Sequence, residues 1–166
     1  MCHATATVLL LLLFGACATS YTPSPDRPFE AITTEFRSTN TVALMNAQPA
    51  DEEVRSGRWY VNYHAWTDVA VTIARRELVA RGMTVAEGGA RQLRLSIESA
   101  TTETGWVKIT SQIVMRVETG DGYAATYTGV NSSSMVANFE RQIDGAMMRV
   151  VVAMLSDPHI VAYLTK

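Results

Sequence analysis

Apolar residues along this chain recur with two different periods, and the alternation between them outlines a fold. Thr41 to Ala47 (TVALMNA) alternates as a strand does, and the polar stretch from Pro49 to Gly57 ends it. Trp59 to Tyr63 suits a short strand. From Ala65 to Arg81 the period changes: Trp66, Val69, Ala70, Ile73, Ala74 and Leu78 recur at helical spacing, and Gly82 stands where a helix end favours a left-handed residue. Met83 to Val85 suits another short strand, turned by Glu87-Gly88-Gly89.

Leu93, Leu95 and Ile97 then alternate with Arg94, Ser96 and Glu98, which predicts a strand with one wet face. A turn around Thr101 to Gly105 leads to a longer strand with Val107, Ile109, Ile113, Met115 and Val117 on one side. Gly120-Asp121-Gly122 makes a hairpin to Tyr123–Asn131. Ser132, Ser133 and Ser134 are placed to cap a second helix, whose stripe is Val136, Phe139, Ile143, Met147, Val150, Val151 and Met154; Asp157-Pro158 stops it, and HIVAYL docks as a last turn. Strands bracketed by helices predict an α+β fold: a mainly antiparallel sheet with two amphipathic helices on one face, as a single domain over residues 41–166.

The run before this domain differs in kind. Val8 to Phe14 is too short for a bilayer, which needs ~20 apolar residues, but it matches the ~7–15-residue core of a secretory signal. Phe14-Gly15-Ala16-Cys17 resembles the lipobox of bacterial lipoproteins, with Phe14 where Leu is usual and no Lys or Arg in Met1 to Thr7. The resemblance implies a signal peptide over residues 1–16 and lipidation of Cys17, whose acyl chains anchor the chain in the membrane at ~0.8 kcal/mol per buried methylene. Ala18 and Thr19 after the cysteine resemble the pattern that sends such proteins to the outer membrane, facing the periplasm. Pro23, Pro25 and Pro28 in a Thr- and Ser-rich stretch predict that residues 17–40 are an extended tether.

With 48% apolar and 18% charged residues the chain has enough apolar surface to order a core, and a net charge of −2 without runs of one sign excludes nucleic acid as a partner. The two cysteines, Cys2 and Cys17, are both N-terminal, so the domain has no disulfide framework or cysteine metal site. The lipobox, the Pro-rich tether, a helix ending RRELVARGMTV, the strand LRLSIES and the closing DPHIVAYL together resemble the YajG-like family of bacterial lipoproteins, and more loosely the lipopolysaccharide-assembly lipoprotein. That resemblance implies an α+β periplasmic domain tethered to the outer membrane, without catalytic residues.

No constellation for catalysis surrounds His64, and Asp157 with His159 lacks a third metal ligand, so no enzyme, cofactor or metal is expected. The group Trp59, Tyr60, Tyr63 and Trp66, together with Trp106, is the candidate binding surface, since Trp and Tyr are enriched at interfaces. The expected function is that of a non-enzymatic outer-membrane lipoprotein whose domain binds another envelope component, a protein partner. The alternative is a carrier holding a lipid or other apolar ligand between helix and sheet, which requires a large apolar cavity.

Overall fold

A computed structural model describes residues 19–26, 36–50, 53–56, 59–134 and 139–166. The elements are β1 (Thr19–Ser20), β2 (Thr41–Asn46), β3 (Glu53–Ser56), β4 (Trp59–Asn62), α1 (Tyr63–Ala80), β5 (Thr84–Val85), β6 (Arg91–Thr104), β7 (Ile109–Thr119), β8 (Ala124–Ser133), α2 (Phe139–Leu155) and α3 (Pro158–Thr165). A five-stranded sheet has the order β5-β2-β6-β7-β8, and β1-β4-β3 form a small second sheet. The signal segment and Cys17 lie outside the described residues, as does Val136.

The α+β class holds, with one change of topology. The long strands β6, β7 and β8 are antiparallel, as expected, while β2 pairs parallel with both β5 and β6, so the mainly antiparallel sheet is mixed at one edge. The cause is α1: a strand that returns through a helical crossover runs parallel to its predecessor, whereas a tight hairpin reverses it.

Helix α1 starts where the Asn62 side chain accepts a hydrogen bond from the Ala65 N–H at 2.9 Å. It ends in a Schellman motif: Gly82, at φ +88°, donates to the Val79 carbonyl, and Met83 donates to that of Leu78. Both α1 and α2 pack on the same sheet face, α1 over β2 and β6, α2 over β7 and β8. Ile73, Leu78, Leu93, Leu95, Ile113, Met115, Met147 and Met154 are fully buried between the layers, each such side chain contributing roughly 1.5–3 kcal/mol. The opposite sheet face carries Arg94, Glu98 and Arg116 in water. The closing HIVAYL is part of a third helix, α3, with Asp157 as N-cap and Pro158 at its first position. Ser132 and Ser133 are the last residues of β8 rather than helix caps.

A bulge between Ile97 and Ser99 shifts the register of β6 against β7. Beyond it the buried side switches parity, from Leu93, Leu95 and Ile97 to Ala100 and the half-buried Thr102. Bulges re-aim side chains in this way, and here the redirected residues border the cleft described next.

The span read as an extended tether is held on the domain wherever it is described. Phe36 is buried with the Arg81 guanidinium 5.3 Å above its ring, and the Ser38 and Asn40 side chains both donate to the Leu164 carbonyl. A composition of Pro, Ser and Thr does set an extended backbone, but Tyr21, Pro23 and Phe36 supply apolar surface that favours docking over solvation.

Candidate functional site

Residues 19–26 form a strap across the two long helices. β1 pairs parallel with β4, Thr19 opposite Trp59 and Ser20 opposite Tyr60. The Trp66 indole N–H on α1 donates to the Tyr21 carbonyl at 2.8 Å, and Arg76, one face further along α1, donates to the Pro25 carbonyl at 2.8 Å. On α2, one Asp144 carboxylate oxygen accepts both the Tyr21 hydroxyl (2.7 Å) and the Ser24 N–H (2.8 Å). Asp144 is fully buried, so these hydrogen bonds act where water does not compete. Replacing it should therefore release the strap. Asp144→Ala is expected to cost about 1–3 kcal/mol and to expose residues 19–26 to proteolysis. Asp144→Asn, which keeps an acceptor oxygen, should retain both bonds; equal protease resistance of the native and alanine chains would contradict the clamp.

The strap closes one side of a shallow cleft that opens to solvent. Trp66, Ile113 and Ile143 form its floor, with Tyr21, Tyr60 and Phe139 at its walls. The hydroxyls of Thr102 and Ser111, 2.9 Å apart, edge the bulged end of the β6–β7 hairpin. An apolar wall with a few hydroxyls suits the reception of an apolar side chain. Among the described residues no group of three His, Cys, Asp or Glu is placed to hold a metal ion.

The fold has a solved counterpart. Protein XCC0632 from Xanthomonas campestris, whose crystal structure is described under the family model DUF330, matches at a TM-score of 0.51 and 18% identity, over 81% of this chain and 91% of that one. At this identity the likeness concerns the fold alone. No family model matches the sequence, and no curated protein matches it.

The five aromatic residues singled out as a binding surface divide. Tyr63 and Trp66 are core: they lie one helical turn apart on the stripe of α1 that faces the sheet, and the Tyr63 hydroxyl accepts the Ala100 N–H at 3.1 Å. Tyr60 is 41% exposed at the cleft mouth. Trp59 contributes its backbone to β4, opposite Thr19. Trp106 stands in the turn between β6 and β7, and its side chain is fully exposed. His64 contacts the Gln48 carbonyl at 2.8 Å and sits 3.7 Å from Asp68 at the start of α1. Asp144 went unrecognised in the sequence; its signal was a carboxylate within the apolar side of α2, beside Ile143 and one turn before Met147 and Met148.

A polar cluster occupies the other end of the domain. Asp157 caps α3 by accepting the His159 N–H and also accepts the hydroxyls of Tyr123 and Tyr127, while the His159 ring stacks on Tyr123 at 5.0 Å. Burial alone pushes the Asp157 carboxyl up, but the hydrogen bonds from Tyr127, His159 and Tyr123 outweigh it and hold it below the usual carboxylate range. Burial, and then the bond to Asp157, pushes the Tyr127 hydroxyl far above its ordinary value. A carboxyl depressed in the folded state contributes stability above its unfolded pKa and loses it as pH falls through the folded value. Urea midpoints should therefore fall from about pH 4 downward more steeply in the native protein than in Asp157→Asn. Identical acid slopes would show that Asp157 is not linked to folding.

Proposed function

We propose that this chain is a non-enzymatic lipoprotein of the bacterial outer membrane, anchored through Cys17, whose domain binds a protein of the envelope at the Tyr60 cleft. The observation that carries the reading is a juxtaposition. The Phe14-Gly15-Ala16-Cys17 motif is followed two residues later by a strap that hydrogen-bonds onto the domain beside a half-exposed aromatic cleft. The YajG-like resemblance of the sequence supports the same location. Tyr60 and Phe139 at the cleft supply the aromatic contact area enriched at protein interfaces. The cleft encloses room of only about 20 Å³, little more than a water molecule occupies and far below the ~300–1,000 Å³ of ligand sites, which favours surface contact with a partner's side chain over a lipid.

A photo-crosslinking amino acid at Tyr60 in intact cells tests the partner. One discrete protein adduct is expected, missing when the probe is moved to Thr126 on the wet sheet face. The same pattern from both positions, or none from Tyr60, would remove this surface from consideration.

A further inference from the structure

Among the described residues, Trp106 and Val107 are the most exposed large apolar side chains, fully and 71% accessible, and they are adjacent. They stand at the end of the β6–β7 hairpin, where Gly105 donates to the Lys108 carbonyl at 2.8 Å and closes the turn. β8 ends opposite Ile109, so the turn lies past the last paired residues of the sheet. The Trp106 indole is left wholly in water, although burying it would contribute free energy.

The position of this turn relative to the N-terminus suggests what covers it. Thr101, Thr102 and Gln112 of the same hairpin line the cleft together with Tyr21 and Tyr60. Trp106 is four residues beyond Thr102, at most roughly 13 Å along the chain. Thr19 is paired to Trp59 next to the cleft, and Cys17 is two residues before it, a reach of at most about 7 Å. The hairpin turn and the first strap residue, Thr19, thus both adjoin the cleft end of the described domain. With the strap docked, the chain is too short to hold that end far from the leaflet.

We propose that the β6–β7 turn is a second membrane contact: Trp106 and Val107 enter the headgroup layer of the leaflet that holds the Cys17 anchor, and Lys108 meets its phosphates. Trp is favoured at this depth because its ring is amphipathic, and a Lys beside it keeps its ammonium at the phosphate level while its stem lies along apolar surface. The nearest carboxylate along the hairpin, Glu103, stands back from the turn opposite Thr110. The proposal rests on the lipoprotein reading and deepens it, since it turns a flexible tether into a fixed orientation of the domain.

The test uses the full chain purified from membranes and reconstituted in phosphatidylethanolamine–phosphatidylglycerol vesicles with brominated acyl chains. Intact mass reads the acyl anchor; bromine quenching of Trp emission reads the turn. The native chain should be quenched, and Trp106→Ser should lose at least about half of that quenching with an unchanged melting temperature, because the side chain is fully exposed. Lys108→Glu should weaken quenching most when phosphatidylglycerol is present. Acylated protein with the same quenching in native and Trp106→Ser chains overturns the turn contact and leaves the anchor standing. A chain whose mass carries no acyl group overturns both.

Discussion

Replacing Trp66 by alanine is expected to lower stability by about 3–5 kcal/mol and to free the strap in the same step. The indole is buried under the strap on the sheet-facing side of α1 and forms part of the cleft floor, so truncation opens a cavity between two layers that meet there. It also removes the donor to the Tyr21 carbonyl. Trp66→Phe largely separates the two effects, since it keeps an aromatic ring in the core while removing the N–H. Urea unfolding should show the large loss for alanine and a loss on the order of 1 kcal/mol for phenylalanine, with protease sensitivity of residues 19–26 rising in both. A strap as resistant in Trp66→Phe as in the native chain would mean that the indole hydrogen bond does not hold it.

Gly129→Ala is expected to cost about 3 kcal/mol or more, although it adds only one methyl. A Cβ at Gly129 would stand 2.1 Å from the Ala146 carbonyl oxygen and 2.5 Å from the Val150 nitrogen, both backbone atoms of α2. Neither can turn aside as a side chain does, so the helix must lift from β8. Asp144 precedes Ala146 by half a turn, and displacement of α2 carries it away from Tyr21 and Ser24. The variant should therefore melt lower and lose amide protection at Ser24 together, by hydrogen exchange. Native stability in Gly129→Ala would show that helix and strand are not in backbone contact there.

These two positions also illustrate what the sequence makes legible. The helical stripe containing Trp66 and the left-handed stop at Gly82 are local, so periodicity and turn chemistry are enough to find them. The Gly120–Gly122 hairpin is local as well, with Gly122 at φ +92°. What escapes is non-local. The parallel insertion of β2 between β5 and β6 depends on a crossover, and the bulge after Ile97 reverses which side of β6 is buried, by a shift that alternation cannot reveal. The strap is held by Asp144, 123 residues from Tyr21, so a Pro-rich composition alone reads as a free tether. For the candidate site, aromatic density draws attention to the residues around the cleft but does not sort their roles. Helical phase commits Tyr63 and Trp66 to the core and leaves Tyr60 at the cleft and Trp106 at the hairpin turn.

With the strap docked, Cys17 becomes more than an address. If it carries acyl chains, the bonds from Trp66, Asp144 and Arg76 to residues 21–25 fix which end of the domain faces the leaflet. Everything about orientation then depends on that one modification. The most direct measurement is growth with radiolabelled palmitate, followed by separation of the membranes, for the native chain and Cys17→Ala. The expected result is label in the native protein at the outer membrane, and an unlabelled, mislocalised Cys17→Ala product. A native chain without label, or a Cys17→Ala chain that fractionates unchanged, would contradict the lipoprotein reading.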